Sequence, residues 1–229
     1  MTVPWPPGDR FPGHRNAGPI HVRTSDGVIS RPLELAPAMH TTLVATDIVG
    51  FGKKYRDADA QMHVRRMMYE LFIEAFTITG LPWWDCHRED RGDGALVVAP
   101  PDVHPDSFLD PLAHHLNATV HRYNRHASDN TQLHLRMAVH HGYVYRDTYG
   151  VTGDALTHLF RLLEAPAFKK SLATVEADLG VIVSHRLYTD ARQRGGLINP
   201  AGYAPLHLSY KETRTRAWLW LPAGSDARR

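Results

Sequence analysis

Two aspartates stand out because each follows or interrupts an apolar, strand-like segment. Asp47 ends the β-branched run that begins at Thr41, and Asp93 lies in the turn 90–94, between two further apolar segments. Two carboxylates brought together are oxygen ligands for a hard divalent cation such as Mg2+ or Mn2+. Because carboxylate sites with two such ions are widely used for chemistry on phosphates, the pair predicts a reaction of a nucleoside triphosphate.

The two aspartates differ in how readily another explanation accounts for them. Asp93-Gly94 is also an ordinary hairpin-turn signal, which needs no metal. Asp47 ends an apolar strand and precedes Gly50-Phe51, a place where an acidic side chain has little structural purpose. Asp47 is therefore the stronger of the two candidate metal ligands.

Composition limits the class of protein more than its activity. The chain has 229 residues with 43% hydrophobic and 22% charged residues, which is typical of one globular domain with extensions. The net charge of +2 provides no general electrostatic attraction to nucleic acid or to an anionic membrane. The 16 histidines show no metal-binding spacing and are expected to be dispersed over strands and surface.

Cys86 is the only cysteine, so the chain cannot form an internal disulfide. The sequence also has no signal-peptide pattern and no apolar stretch of about 18 residues, the length that a membrane span needs. These features predict a cytoplasmic protein that does not enter the membrane.

The order of predicted elements indicates an α+β domain. Residues 1–38 are rich in proline and glycine and are interpreted as an arm with one short strand at 21–23, either disordered or packed on the domain or a partner. Residues 39–222 form the predicted domain, and 223–229 a tail. Hydrophobic periodicity predicts strands at 41–47, 83–89, 95–99, 132–140 (continued at 143–146 after a kink at Gly142), 180–184, 203–211 and 215–221. It predicts helices at 57–79, 105–126, 153–163 (closed by Pro166), 171–177 and 185–192. The first six elements follow the ferredoxin-like βαββαβ order, with extra C-terminal elements in a mixed sheet.

Four segments in this order resemble motifs of the class III nucleotidyl cyclases, the adenylate and guanylate cyclase catalytic domains. They are the two aspartate motifs, 47–51 and 91–94, the strand 135–142 and the helix 153–163. The resemblance extends from about residue 40 to about 221. It implies a cyclase that converts a nucleoside triphosphate to a 3',5'-cyclic nucleotide and pyrophosphate, using two Mg2+ or Mn2+ ions.

The resemblance also implies roles for individual residues. Asp47, Ile48 and Asp93 are assigned to the metal ions, and the backbone N–H groups up to Phe51 to the triphosphate. Arg161 is expected to stabilise charge on the α-phosphate. The resemblance also assigns Lys211 to the phosphates, although the loop that carries it is shorter than in the family.

The position that reads the base in the family is Glu89 here. An ionised carboxylate accepts hydrogen bonds, which suits guanine, uracil or cytosine better than adenine. Gly150 occupies the second base-reading position, where adenylate cyclases commonly have aspartate, and Tyr149 beside it is expected to fill volume and favour a smaller base. ATP is therefore the least supported substrate.

One position departs from the family pattern: Thr157 stands where the catalytic asparagine is expected, four residues before Arg161. Two hypotheses follow, an active cyclase or a cyclase-like homodimer that binds nucleotide and signals by contact. A ferredoxin-like domain of other function is the third. The resemblance implies a homodimer with active sites shared between protomers, and the short bacterial pyrimidine cyclases of antiphage signalling, which act through a separate cyclic-nucleotide effector, are one possible branch.

Overall fold

The computed structural model describes residues 38–147, 149–175 and 177–222. In this part of the chain eight strands and five α-helices follow one another. They are β1 (Ala38–Ile48), α1 (Ala58–Thr79), β2 (His87–Asp90), β3 (Gly94–Val98), α2 (Asp110–Asn124), β4 (Leu135–Asp147), β5 (Gly150–Thr152), α3 (Asp154–Glu164), α4 (Pro166–Ala173), β6 (Leu179–Ser184), α5 (His185–Arg194), β7 (Tyr203–Tyr210) and β8 (Thr213–Trp220).

The strands form one mixed sheet in the order β2-β3-β1-β4-β6-β8-β7, with β5 paired to β4. The first four strands, in the order β2-β3-β1-β4, form the split βαβ arrangement expected from the sequence. In the described part of the sheet, only β4 and β6 pair in parallel, and the other neighbouring strands are antiparallel. The α+β fold class is thus confirmed, and β6, β8 and β7 are the added C-terminal strands.

The sheet separates two hydrophobic cores, because side chains of a strand point alternately to its two faces. On β1, Val44 belongs to the core under α1, α2 and α5, whereas Leu43 and Ala45 belong to the core under α3 and α4. A central strand that is apolar on both faces is typical of a sheet covered by helices on both sides. The first strand is therefore fixed from both faces, including at its C-terminal end, where Asp47 lies.

Helix α1 begins and ends where its sequence predicts. The side chain of Asp57 accepts a hydrogen bond from the backbone N–H of Ala60, and Gly80 ends the helix with φ 78°. An aspartate N-cap satisfies one of the free N–H groups of the first turn, and glycine adopts the left-handed conformation without steric cost. The buried face of α1 includes Met68, Phe72 and Phe76.

Four predicted boundaries were wrong. Residues 83–85 form a 3-10 turn instead of a strand, because Trp83 is buried against Phe76 with ring centroids 5.0 Å apart. The second predicted helix, 105–126, is a 3-10 turn followed by α2, with Leu109 in a non-helical conformation between them. Pro166 begins α4 instead of closing α3, since proline is favoured at the first position of a helix. Because α4 begins there, the helix predicted at 171–177 lies at 166–173.

The predicted kink at Gly142 was also wrong, since β4 runs through this residue and pairs it with Thr41. A Cβ atom at position 142 would lie 2.9 Å from the Cβ of Ala155 on α3. Glycine is needed there so that the helix can approach the strand. Strand β5, by contrast, was not predicted at all.

The predicted strand at 21–23 and most of the predicted arm lie outside the described residues, and the domain boundaries remain a prediction. Within the described ranges, no helix is both long enough and apolar enough to cross a membrane.

Four histidines on β1, β4 and α3 form two pairs, one on each face of the sheet, that the sequence did not predict. The rings of His40 and His141 are 4.4 Å apart, and those of His140 and His158 are 4.8 Å apart. Hydrogen bonds of 2.8 Å to Ser184 and 3.0 Å to Thr42 hold His140 and His141, respectively. Burial, with smaller contributions from neighbouring histidines and arginines, lowers the pKa of His140 to about 3 and that of His141 to about 4.

These lowered values predict an acid-sensitive fold. In the unfolded chain the two rings take up protons near pH 6.5, whereas in the folded protein they remain neutral until about pH 4. The free energy of unfolding should therefore fall as the pH drops from about 6.5 towards 4, because protonation favours the unfolded chain. Urea unfolding at pH 7.5 and pH 5 measures the loss of unfolding free energy. This loss should be smaller in the double variant His140→Gln/His141→Gln and unchanged in His207→Gln, which removes an exposed histidine. An equal loss in all three proteins would contradict the assignment.

Candidate active site

The two predicted metal aspartates lie side by side at the C-terminal end of β1. In the register of β1 and β3, Asp47 pairs with Gly94, and the N–H of Ile48 donates to the carbonyl of Asp93 over 2.7 Å. A Cβ atom on Gly94 would overlap the carbonyl oxygen of Thr46, so only glycine allows this close approach. The turn that carries Asp93 is thus fixed to the end of β1 by backbone hydrogen bonds.

Asp47 is buried, with 7% of its surface exposed, and is paired with an arginine that the sequence analysis did not identify. On β4, directly beside Asp47, the guanidinium of Arg136 donates from Nε to Oδ1 over 2.7 Å and from Nη2 to Oδ2 over 2.6 Å. This is the bidentate geometry in which arginine binds carboxylates most strongly. The sequence placed Arg136 on a strand, but the pairing depends on the register between β1 and β4, which the sequence did not provide.

Burial raises the pKa of Asp47, and Arg136 offsets this only in part. The nearby carboxylates of Glu164 and Asp93 raise the pKa further. The end of β1 therefore concentrates negative charge in a partly desolvated place, which favours a bound cation. Arg136 is the cation that the folded chain itself supplies there.

The side chains at this place fit a divalent metal ion. Among the described residues, no group of three or more His, Cys, Asp or Glu side chains is arranged to hold a metal. Two carboxylates and the backbone carbonyl of Ile48 nevertheless form a set of hard oxygen donors, and Mg2+ commonly takes one or two carboxylates and fills its other positions with water and substrate phosphates. Asp93 is exposed and accessible to such an ion.

Fewer backbone N–H groups after β1 are free to bind a triphosphate than the sequence predicts. The N–H groups of Ile48, Val49 and Phe51 already donate to Asp93, His134 and Ile48 carbonyls, respectively. In the described part of the chain, the N–H groups of Gly50 and Gly52 make no hydrogen bond. Because the N–H of Phe51 bonds within the turn, it is not free to donate to a phosphate as predicted. The ring of Phe51 packs against the core under α1.

The two predicted base-reading positions are in contact. The Oε1 atom of Glu89 on β2 accepts a hydrogen bond of 3.3 Å from the N–H of Val151, the residue after Gly150. A Cβ atom at Gly150 would lie 3.1 Å from the same oxygen. Tyr149 is 97% exposed, so in the single chain its side chain fills no pocket, and its effect on base size remains a prediction.

The predicted phosphate-binding residues meet at the turn between β7 and β8. Arg161 on α3 donates to the hydroxyl of Thr213 over 2.8 Å and to Oε2 of Glu212 over 2.6 Å. Lys211 precedes these residues in the same turn and has φ 51°, a conformation uncommon for a residue with a side chain. Thr157 lies one helical turn before Arg161 and is exposed.

The predicted metal-binding carboxylates and the predicted phosphate-binding cations therefore form two separate groups. Among the described residues, no hydrogen bond or ion pair joins Asp47 or Asp93 to Arg161 or Lys211. Each group is instead balanced by a partner of its own, Arg136 in the first and Glu212 in the second.

Comparison with solved structures identifies the architecture. An adenylate/guanylate cyclase/hydrolase from Silicibacter pomeroyi matches with a TM-score of 0.60 and 17% identity, over 82% of this chain and 100% of that one. The guanylyl cyclase Cya2 matches with a TM-score of 0.55 and 14% identity, over 82% and 94% of the two chains. The chain has the class III cyclase catalytic-domain fold.

A third cyclase-fold match is the guanylyl cyclase domain of the RhoGC fusion protein from the fungus Blastocladiella emersonii. It gives a TM-score of 0.51 and 15% identity, over 82% of this chain and 100% of that one. No family model matches the sequence, and no curated protein does. At these identities the relation is visible in the fold, and the chemistry of the site has to be argued from its residues.

The pairing of Arg136 with Asp47 predicts competition between the guanidinium and a metal ion. Arg136→Met should lower the free energy of unfolding by about 3–5 kcal/mol, because a buried carboxylate loses its partner. Mn2+ should then raise the Tm of this variant more than that of the wild type, since the ion replaces the missing charge. Thermal unfolding with and without Mn2+ measures both effects.

Two further variants control this experiment. Arg136→Lys keeps a cation at the site and should respond to Mn2+ to an intermediate extent. Adding Asp47→Asn to Arg136→Met removes the carboxylate and should abolish the extra response. Equal Mn2+ shifts in the wild type and in Arg136→Met would show that the two cations do not compete.

Proposed function

We propose that this protein is a nucleotide cyclase that converts a nucleoside triphosphate to a 3',5'-cyclic nucleotide and pyrophosphate. The observation that carries the proposal is the fixed pair of Asp47 and Asp93 at the end of β1, in a chain with the cyclase catalytic-domain fold. Glu89 and Arg161, assigned from the sequence to base and phosphate, lie on elements of the same domain.

In the proposed reaction, the ribose 3'-oxygen attacks the α-phosphorus and the bond to pyrophosphate breaks. Asp47 and Asp93 would hold two Mg2+ or Mn2+ ions, which lower the pKa of the attacking hydroxyl and neutralise the triphosphate. Arg161 exchanges Glu212 for the α-phosphate, where its planar guanidinium stabilises the developing charge. Lys211, two residues before Thr213 in the same turn, adds a second positive charge for the phosphates.

Glu89 is the proposed base-reading residue. The hydrogen bond from His87 lowers the pKa of the Glu89 carboxyl, and Arg91 and the N–H of Val151 lower it further. Burial raises the pKa, but the net shift is downward, so Glu89 is ionised. An ionised carboxylate acting alone would favour guanine, uracil or cytosine over adenine. The proposal includes a second-messenger role through a separate effector, with antiphage signalling as one such role.

The protein is proposed to act as a homodimer with shared active sites. The separation of the Asp47–Asp93 group from the Arg161–Lys211 group supports this arrangement, because a head-to-tail partner would bring the complementary group to each site. The fungal guanylyl cyclase domain, which has a TM-score of 0.51 to this chain, is described both as a monomer and as a non-canonical dimer.

A direct assay tests the activity. Purified full-length protein is incubated with each of the four nucleoside triphosphates and Mn2+, and mass spectrometry detects cyclic product. Asp47→Ala and Asp93→Ala should each reduce the rate by roughly a hundredfold or more, since a lost metal site removes about 3 kcal/mol or more of transition-state stabilisation. Asp102→Ala, which removes an exposed aspartate far from β1 in sequence, should have no effect.

The same assay separates the second candidate function, a dimer that binds nucleotide without turnover. Thr157 favours the binding-only dimer, because its exposed side chain is shorter than that of the expected asparagine and ends in a hydroxyl instead of an amide. Nucleotide binding without product from any of the four substrates would support this candidate. Product formation that survives both aspartate substitutions would overturn the metal assignment.

Mixing two inactive variants tests the shared sites. Asp47→Ala and Arg161→Ala should each be inactive as homodimers, but a mixed dimer contains one site with both defects and one intact site. Random pairing should therefore restore about a quarter of the wild-type activity. Restoration requires unfolding and refolding, or coexpression, so that subunits exchange. If the mixture remains inactive while exchange is demonstrated, each site belongs to a single chain.

A further inference from the structure

A cleft of about 480 Å³ lies between α5 and β8, on the same face of the sheet as α1 and α2. Its lining includes His185, Tyr188 and Arg192 from the helix and Arg216 and Trp218 from the strand. Helix residues three or four apart share a face, as do strand residues two apart, so both elements direct these side chains to one place. Asp47, two residues beyond Ala45 on β1, belongs to the opposite face, so the cleft is separate from the candidate active site.

Two of these side chains form a flat aromatic surface, the aromatic platform of Trp218 and His185. Nε1 of Trp218 donates a hydrogen bond of 3.1 Å to Nδ1 of His185, and the two ring planes differ by only 16°. An indole N–H lies in the plane of its own ring. The bond and the distance of 6.4 Å between ring centroids therefore place the rings side by side, and not one above the other.

Tyr188 fixes the orientation of the aromatic platform. The centroids of the Tyr188 and Trp218 rings are 3.9 Å apart, with their planes 20° from parallel. Tyr188 is only 2% exposed, and its hydroxyl donates to the carbonyl of Pro200 over 3.2 Å. One face of the indole is thus covered by a buried, anchored ring. The other face remains for a ligand, since Trp218 is partly exposed and Pro205, its neighbour on β7, is exposed.

Two arginines add positive charge to the cleft. Arg192 and Arg216 are exposed, and among the described residues neither guanidinium forms a hydrogen bond or an ion pair. By contrast, Arg194, two residues further along α5, binds Asp106 over 2.6 Å. None of the described residues that line the cleft is acidic. Two unbalanced guanidiniums beside an aromatic surface suit a ligand that has both a planar ring and a phosphate.

We propose that this cleft is a second nucleotide site, in which a nucleobase stacks on the aromatic platform while Arg192 and Arg216 bind the phosphate. Stacking on aromatic side chains accepts every base, because each base has a π-face, so the site recognises nucleoside phosphates as a class. Purines should bind more tightly than pyrimidines, since a larger ring covers more of the platform. The proposal does not depend on the proposed function, because none of these residues belongs to the candidate active site.

A single nucleotide fits this cleft better than a strand of nucleic acid does. The cleft volume of about 480 Å³ falls within the range of roughly 300–1,000 Å³ that is typical of small-molecule sites. A strand is attracted by many phosphate contacts, and the net charge of +2 provides no such general attraction. The charge that the ligand needs is local, and Arg192 and Arg216 supply it.

Isothermal titration of the full-length protein with AMP, GMP, UMP and CMP tests the site. EDTA is present, so that metal-dependent binding at Asp47 and Asp93 does not contribute. AMP and GMP should bind at millimolar concentration or below, and adenosine, which lacks the phosphate, roughly tenfold more weakly than AMP. Arg192→Met/Arg216→Met should weaken AMP binding roughly tenfold or more and leave adenosine binding unchanged, because it removes only the charge that binds the phosphate.

Matched variants separate the two halves of the site. Arg214→Met removes an exposed arginine on the same face of β8 but outside the cleft lining, and should leave AMP binding unchanged. Trp218→Leu should weaken AMP and adenosine alike, whereas Trp218→Phe keeps a smaller ring and should retain part of the affinity. Asp93→Ala alters the candidate metal site and should have no effect on AMP binding. Thermal unfolding confirms that each variant is folded.

Four outcomes would overturn the proposal. The first is that neither AMP nor GMP binds at millimolar concentration. The second is that Arg192→Met/Arg216→Met binds AMP as tightly as the wild type does, and the third is that inorganic phosphate binds as tightly as AMP, since the platform would then contribute nothing. The fourth is that a short single-stranded RNA binds while the four monophosphates do not. Loss of AMP binding in Asp93→Ala would likewise place the nucleotide at the candidate active site.

Discussion

The position of β1 between β3 and β4 is the constraint on which the site depends. Backbone pairing on one side places Asp93 beside Asp47, and pairing on the other side places Arg136 there. A one-residue slip in either register would turn the side chains to the opposite face of the sheet. Because β1 is packed between two cores, such a slip would expose apolar side chains to water, and the hydrophobic effect thereby fixes the geometry of the carboxylates.

Three charged residues of the candidate site are paired within the chain. Asp47 is paired with Arg136, Glu89 with Arg91, and Arg161 with Glu212. Buried or partly buried charges without partners would be costly, so the folded protein balances each of them before any substrate arrives. Under the proposed function, binding of metal and nucleotide would be an exchange of partners, and its free energy would be the difference between two sets of ion pairs.

Local signals predicted the parts of this structure that short-range physics determines. The extent of α1 and the split βαβ order follow from hydrophobic periodicity and from the residues that can begin and end a helix. Position in the motifs also selected Asp47, Asp93, Glu89 and Gly150 as candidates, of which the structure brings the first two together and the last two together. Proline at 166 misled the prediction, because the residue is equally compatible with ending one helix and beginning the next.

Long-range pairings were beyond the sequence. The contact of Arg136 with Asp47 needs the β1–β4 register, and β5 reaches Glu89 only because the chain folds back over the face of the sheet. The three-residue length of β5 is too short for a periodic pattern to reveal. The two histidine pairs join β1 to β4 and β4 to α3, elements that are distant in sequence, so histidines dispersed in the sequence become neighbours in the fold.

The glycine at position 150 has a consequence for redesign of this protein. Its missing side chain leaves the space in which Oε1 of Glu89 meets the backbone of β5. A residue with a Cβ at 150 would push the carboxylate away, and a longer side chain at 89 would collide with the same strand. Substitutions at 89, 91 and 150 should therefore be strongly non-additive. Under the proposed function, an engineer who wants a different nucleotide selectivity must vary the three positions together, because a single exchange taken from a solved cyclase domain would be introduced into an incompatible background.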